Sequence, residues 1–179
     1  MPKYSEFVDR VLRSSDLLKE LLPRGPLHWE LPGEIAKADD TTLLGSAVLK
    51  SAAALKLSRG GLLYAVDALD AAHRFFQDDS SDLGSYWHGL MHRREADFDN
   101  ARYWFRRAGR LSFFSELHRE ASSHSADMAR QDSWDAYLLT GLCEQAKYGA
   151  SELSGECTAL IRAEFHAVFD YTWRQAVAV

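Results

Sequence analysis

The sequence predicts an all-α protein, a single-domain helical bundle of seven or eight helices spanning residues 1–179. Three observations carry this expectation. Apolar residues recur at the three- and four-residue spacing of a helix face along most of the chain. No run alternates apolar and polar residues as a half-buried strand does. Glycine and proline pairs interrupt the periodic stretches at intervals of ordinary helix length.

The first helix is placed at Tyr4 to Leu22, where Phe7, Val8, Val11, Leu17, Leu18 and Leu21 share a face, and Pro23-Arg24-Gly25-Pro26 stops it. Residues 27–40 read as an irregular connection with one helical turn, and its Trp29 suits a lid or a dimer contact. Thr41 or Thr42 can cap a second helix to Leu57, which Gly60-Gly61 ends. A third runs from Leu62 to Phe76, before the polar stretch QDDSSDLGS. Two short helices follow between Ser85 and Gly109, then one near Ser112 to Ser122, one from Ser133 to Tyr148, and a long last helix from Ser151 almost to Ala178.

With 179 residues the chain is long enough for one sizeable core. The formal net charge of −5 gives no global attraction to nucleic acid or to an anionic membrane. Charge is uneven, however. Between Tyr86 and Arg110 six arginines face three acids, which fits either an anion site or internal ion pairing. Cys143 and Cys157 lie within apolar helical patterns and are expected as free buried thiols, which suits a reducing cytoplasm. No stretch has the ~18 uninterrupted apolar residues of a membrane span, and the amino terminus has no apolar signal core, so a cytoplasmic protein is expected.

The stretch SYWHGLMHRREADFDNARYWFRRAG, Ser85 to Gly109, resembles one tetratricopeptide repeat, with Gly89, Ala96, Phe98, Ala101, Phe105 and Ala108 at small and aromatic positions. It departs from that family in having Ala96 where the turn usually carries glycine. No second copy occurs at a spacing of about 34 residues, so a lone hairpin rather than an array is expected. Most of Leu62 to Ala176 is also similar to an all-α bacterial family marked by a SYWH…MHRRE.D..NA.YWFRR.G block, a preceding LDAAHRF helix and a closing FDY…RQA helix. That resemblance implies the architecture and no activity.

His88, His92 and Glu95, at i, i+4 and i+7, line one stripe of a helix. Trp87, Leu90 and Met91 flank it on one side, and Gly89 and Ala96 face the partner helix. Three readings apply: structural histidines hydrogen-bonded to carboxylates, a divalent metal held by His88, His92 and Glu95, or an acid/base or ligand-contact role. His73 continues the apolar stripe Leu62, Val66, Leu69 and Phe76, with Asp70 placed to orient it. Glu164 lies at the centre of an apolar face and needs a partner or a raised pKa. Asp135 begins its helix, where stabilising the helix terminus is the simpler role.

These residues come from four helices, and a polar cavity between facing helices would gather His73, His88, His92, Glu95, Asp135 and Glu164, with Arg94 as a clamp for a small anionic ligand. No paired Glu-x-x-His motif marks a di-iron site, and no phosphate loop, Gly-x-Ser-x-Gly or Cys-x-x-Cys motif occurs. Arg102, Arg106 and Arg110 are expected on a solvated face, which leaves nucleic acid a minor prospect. Two functional expectations result: a small-ligand or metal-binding protein, an enzyme among the options, or a non-catalytic interaction module in which the inward polar groups only lock helices together. Convergence of the titratable residues on one cavity favours the first, and separate pairing favours the second.

Overall fold

A computed structural model describes residues 3–14 and 17–178. The described residues form eleven α-helices: α1 (Glu6–Leu12), α2 (Leu31–Lys37), α3 (Asp40–Leu44), α4 (Ala52–Ala65), α5 (Leu69–Phe76), α6 (Asp82–Arg94), α7 (Phe98–Ala108), α8 (Phe114–Ala121), α9 (Ala126–Ala129), α10 (Ala136–Tyr148) and α11 (Ser154–Ala176). The all-α expectation holds. The count exceeds seven or eight because α2, α3 and α9 span only seven, five and four residues, too few to show a period. A 3-10 turn, Ser151–Leu153, leads into α11. Two two-residue strands, β1 (Val48–Leu49) and β2 (Val177–Ala178), pair antiparallel with Val48 opposite Ala178. Strands this short leave no alternation to detect in the sequence.

Local chemistry sets the helix starts. The side chains of Ser5, Ser51, Ser81 and Asp135 each accept a backbone amide in the first turn of the helix they precede. The first helix is shorter than expected. Arg13 closes it, and Leu18 is buried at φ +53, a conformation no α-helix contains. Ser15 and Asp16, inside the expected span, lie outside the described residues. Residues 27–40 are less irregular than expected, since α2 occupies most of their second half. Arg59 of α4 donates to the carbonyls of Ile35 and Ala36 at the end of α2. Trp29 is 85% exposed.

Gly60-Gly61 do not end a helix; α4 runs straight through them. A Cβ on Gly60 would lie 2.5 Å from Phe76, and one on Gly61 would lie 2.9 Å from both Phe169 and Trp87. The pair exists so that aromatic rings can press onto the α4 backbone, which outweighs the weak helix propensity of glycine. The break falls instead at Val66–Ala68, where Asp67 takes φ +62.

The buried apolar residues form one continuous cluster from Val8 to Val177. The hairpin α6–α7 is the most extensive helix pairing, and α4 lies between α5 and α11. Gly89 allows the close approach within the hairpin, since its Cβ would lie 2.6 Å from the Phe105 ring. Gly89→Ala is therefore expected to lower stability by about 1–3 kcal/mol through overpacking, measured by chemical denaturation. An unchanged midpoint would show that Phe105 moves aside freely. The hairpin turn places Ala96 at φ +62, so Ala96→Gly is expected to raise stability by roughly 1 kcal/mol.

Candidate metal centre

Helices α5 and α6 bring three histidines together. His88 and His92 lie one turn apart on α6, and His73 faces them from α5. One donor nitrogen from each falls within 4.8 Å of the other two. His88 Nε2 meets His73 Nε2 at 2.9 Å. His73 therefore pairs with another imidazole, while Asp70 turns to a neighbouring cleft. The rings of His88 and His92 stack, with centroids 4.8 Å apart. His88 and His92 are 4% and 7% exposed, respectively.

The surroundings fix each ring. Trp104 of α7 stacks on His88 with centroids 3.9 Å apart, covering the face of the imidazole. His92 Nδ1 lies 3.0 Å from Glu95 Oε2, and its Nε2 lies 3.1 Å from Asn100 Nδ2. Amide nitrogen only donates, so His92 Nε2 accepts from Asn100 and Nδ1–H donates to Glu95. A carboxylate that holds the far nitrogen of an imidazole is the usual outer support of a metal-binding histidine. Glu95 thus stands outside the cluster, behind His92, rather than with the donors as the sequence suggested.

Burial pushes the pKa of His88 down to about 3, with His92 and His73 adding like-charge opposition. The ring stays neutral at physiological pH and keeps its lone pair for a metal. His88 Nδ1 is also buried without a hydrogen-bond partner, a cost of about 1–3 kcal/mol. Unfolded histidine titrates near 6.5. As pH falls from there toward 3, the unfolded chain binds a proton that His88 in the folded chain refuses, so folding stability falls over that window. His166, whose pKa burial also depresses, acts in the same direction. The denaturation midpoint is expected to drop between pH 7 and pH 4.5, and less steeply in His88→Gln. Equal slopes for the two proteins would remove His88 from this role.

The remaining candidates pair off elsewhere. Glu164 on α11 forms a fully buried ion pair with Arg93 and accepts the Tyr86 hydroxyl at 2.6 Å. Trp134 Nε1 donates to the Tyr86 oxygen at 2.7 Å. Burial opposes the Arg93 charge, but the Glu164 carboxylate outweighs it and holds the guanidinium ionised. Burial, then Glu164, raises the Tyr86 pKa well above 10 and keeps the phenol neutral. Arg94, expected as an anion clamp, is engaged by internal partners. It donates to Asp67 Oδ1 at 2.6 Å, to the Tyr64 carbonyl at 3.3 Å and to the Glu20 carbonyl at 2.9 Å. Asp135 is the cap of α10 and accepts from the Tyr137 and Leu138 amides. Among the described residues, the candidates do not gather around one cavity.

Internal ion pairing accounts for Arg93 and Arg94, and Arg102 pairs with Glu144 and Asp99 across the surface. The sequence reading missed Trp104, Asn100, Arg93 and Asp67. Trp104 and Asn100 sit four residues apart on α7, a spacing that would have placed both on one face toward α6. Cys143 and Cys157 are free and buried, as expected. Among the described residues no helix is long and apolar enough to cross a membrane. In comparisons with family models, curated proteins and solved structures, nothing matches the chain.

Proposed function

We propose that this chain is a metal-binding helical protein, with His73, His88 and His92 as the ligands. The observation that carries the reading is the convergence of three imidazoles from two helices, with donor nitrogens within 4.8 Å of one another. Tetrahedral ligands about 2.0–2.1 Å from an ion stand about 3.3 Å apart, so His88 and His73 need to separate by a few tenths of an ångström from 2.9 Å, and donors as far apart as 4.8 Å need to close by roughly 1.5 Å. An all-imidazole set suits zinc, cobalt, nickel or copper rather than magnesium or calcium, which prefer oxygen. The depressed pKa of His88 and the Glu95 brace on His92 both favour the metal-ready form. A reducing cytoplasm accords with the two free thiols.

The test is a titration of chelator-stripped protein with zinc or cobalt. One ion per chain is expected, with binding lost in His88→Ala and His92→Ala. No retained ion, or equal retention in both variants, would refute the assignment.

A further inference from the structure

The three-histidine reading leads to a further point about the same site: what completes the coordination sphere. Among the described residues, no further histidine, cysteine, aspartate or glutamate donor joins His73, His88 and His92. The Glu95 carboxylate has its Oε2 on the far nitrogen of His92. Zinc-like ions are four-coordinate, and sites with three protein ligands take their fourth from solution. We infer that the bound ion keeps one position for a small exogenous anion, such as hydroxide, azide or a carboxylate.

Charge decides the class of ligand. Three neutral imidazoles leave a divalent ion with its full +2, beside two histidines that are almost completely buried. Charge in a low-dielectric site is costly unless neutralised close by. Glu95 offsets part of it from behind His92, and an anion on the metal offsets more than water does.

Asn100 indicates how such an anion is held. Its Nδ2 carries two hydrogens, one directed at Asp97 Oδ2 and the other at His92 Nε2. A metal on His92 Nε2 must displace this N–H from the ring nitrogen, and the amide, turned aside, is left as a donor at the edge of the coordination sphere. Asn100 is a positioning residue here, acting on the anion through a hydrogen bond.

The experiment is visible absorption of the cobalt-loaded protein titrated with sodium azide, then with acetate. A saturable change of the cobalt band, at one azide per ion and reversed by competing acetate, is the expected result. Asn100→Ala, compared at full cobalt loading, should bind azide about threefold to tenfold more weakly, the worth of one hydrogen bond. A cobalt band unmoved by either anion would overturn this inference while leaving the three-histidine site intact, and would mean that the protein closes the fourth position itself. Failure to bind cobalt at all would overturn both.

Discussion

Glu164→Ala is expected to cost about 3–5 kcal/mol of folding stability, the usual result of stranding one member of a buried ion pair. Both partners are fully buried, so water cannot reach Arg93 to replace the lost carboxylate. The same change removes the acceptor of the Tyr86 hydroxyl, which in turn accepts from Trp134. The loss would be read from urea denaturation, where a shifted midpoint at unchanged slope reports stability alone. The companion variant, Arg93→Met with Glu164→Leu, removes both charges at similar volume and is expected to recover most of the loss. Equal destabilisation by the single and double changes would mean that packing, not charge, explains the effect.

Metal is expected to raise the melting temperature by roughly 10 °C at an ion concentration a thousandfold above its dissociation constant. That excess is worth about 4 kcal/mol by mass action, and a chain of this size shifts by about 2–4 °C per kcal/mol. The shift should vanish with chelator and in His88→Ala. It should also vanish in His73→Ala, because His73 is the only donor of the three on α5. Calorimetry with and without zinc makes the measurement. A full shift retained in His73→Ala would place the ion elsewhere.

The helical architecture and two of the three histidines of the candidate centre were legible in the sequence for the same reason. Period is local, so it exposes helices, and it also exposes His88 and His92 one turn apart on one of them. Asp135 was readable as a helix cap because capping depends on three or four consecutive residues. What remained hidden depends on partners distant in sequence. Arg93 and Arg94 fit an anion site as well as internal ion pairing until Glu164 and Asp67 are known to face them. Gly60-Gly61 read as a break because propensity favours one; the rings of Phe76, Trp87 and Phe169 reverse that preference. Asp67 carries the true break, and an aspartate between Val66 and Ala68 gives little sign of a left-handed backbone. The third histidine was visible as a candidate, but its partner was not: Asp70 was one turn away in sequence, whereas His88 lies fifteen residues on.

The adjacent arginines also govern how α6 sits about its own axis. Consecutive residues on a helix point about 100° apart, so Arg93 and Arg94 reach in different directions, one to α11 and the other to the bend before α5. Any roll of α6 that shortens one contact lengthens the other, and a slide along the axis strains both. The helix behaves like a shaft keyed at two angles. His88 and His92 ride on the same shaft within two turns of both arginines, so their bearing toward His73 is set by two ion pairs formed by other side chains. On the three-histidine reading, the rate of ion loading is expected to depend on exchange of solvent around the ion rather than on folding of the site.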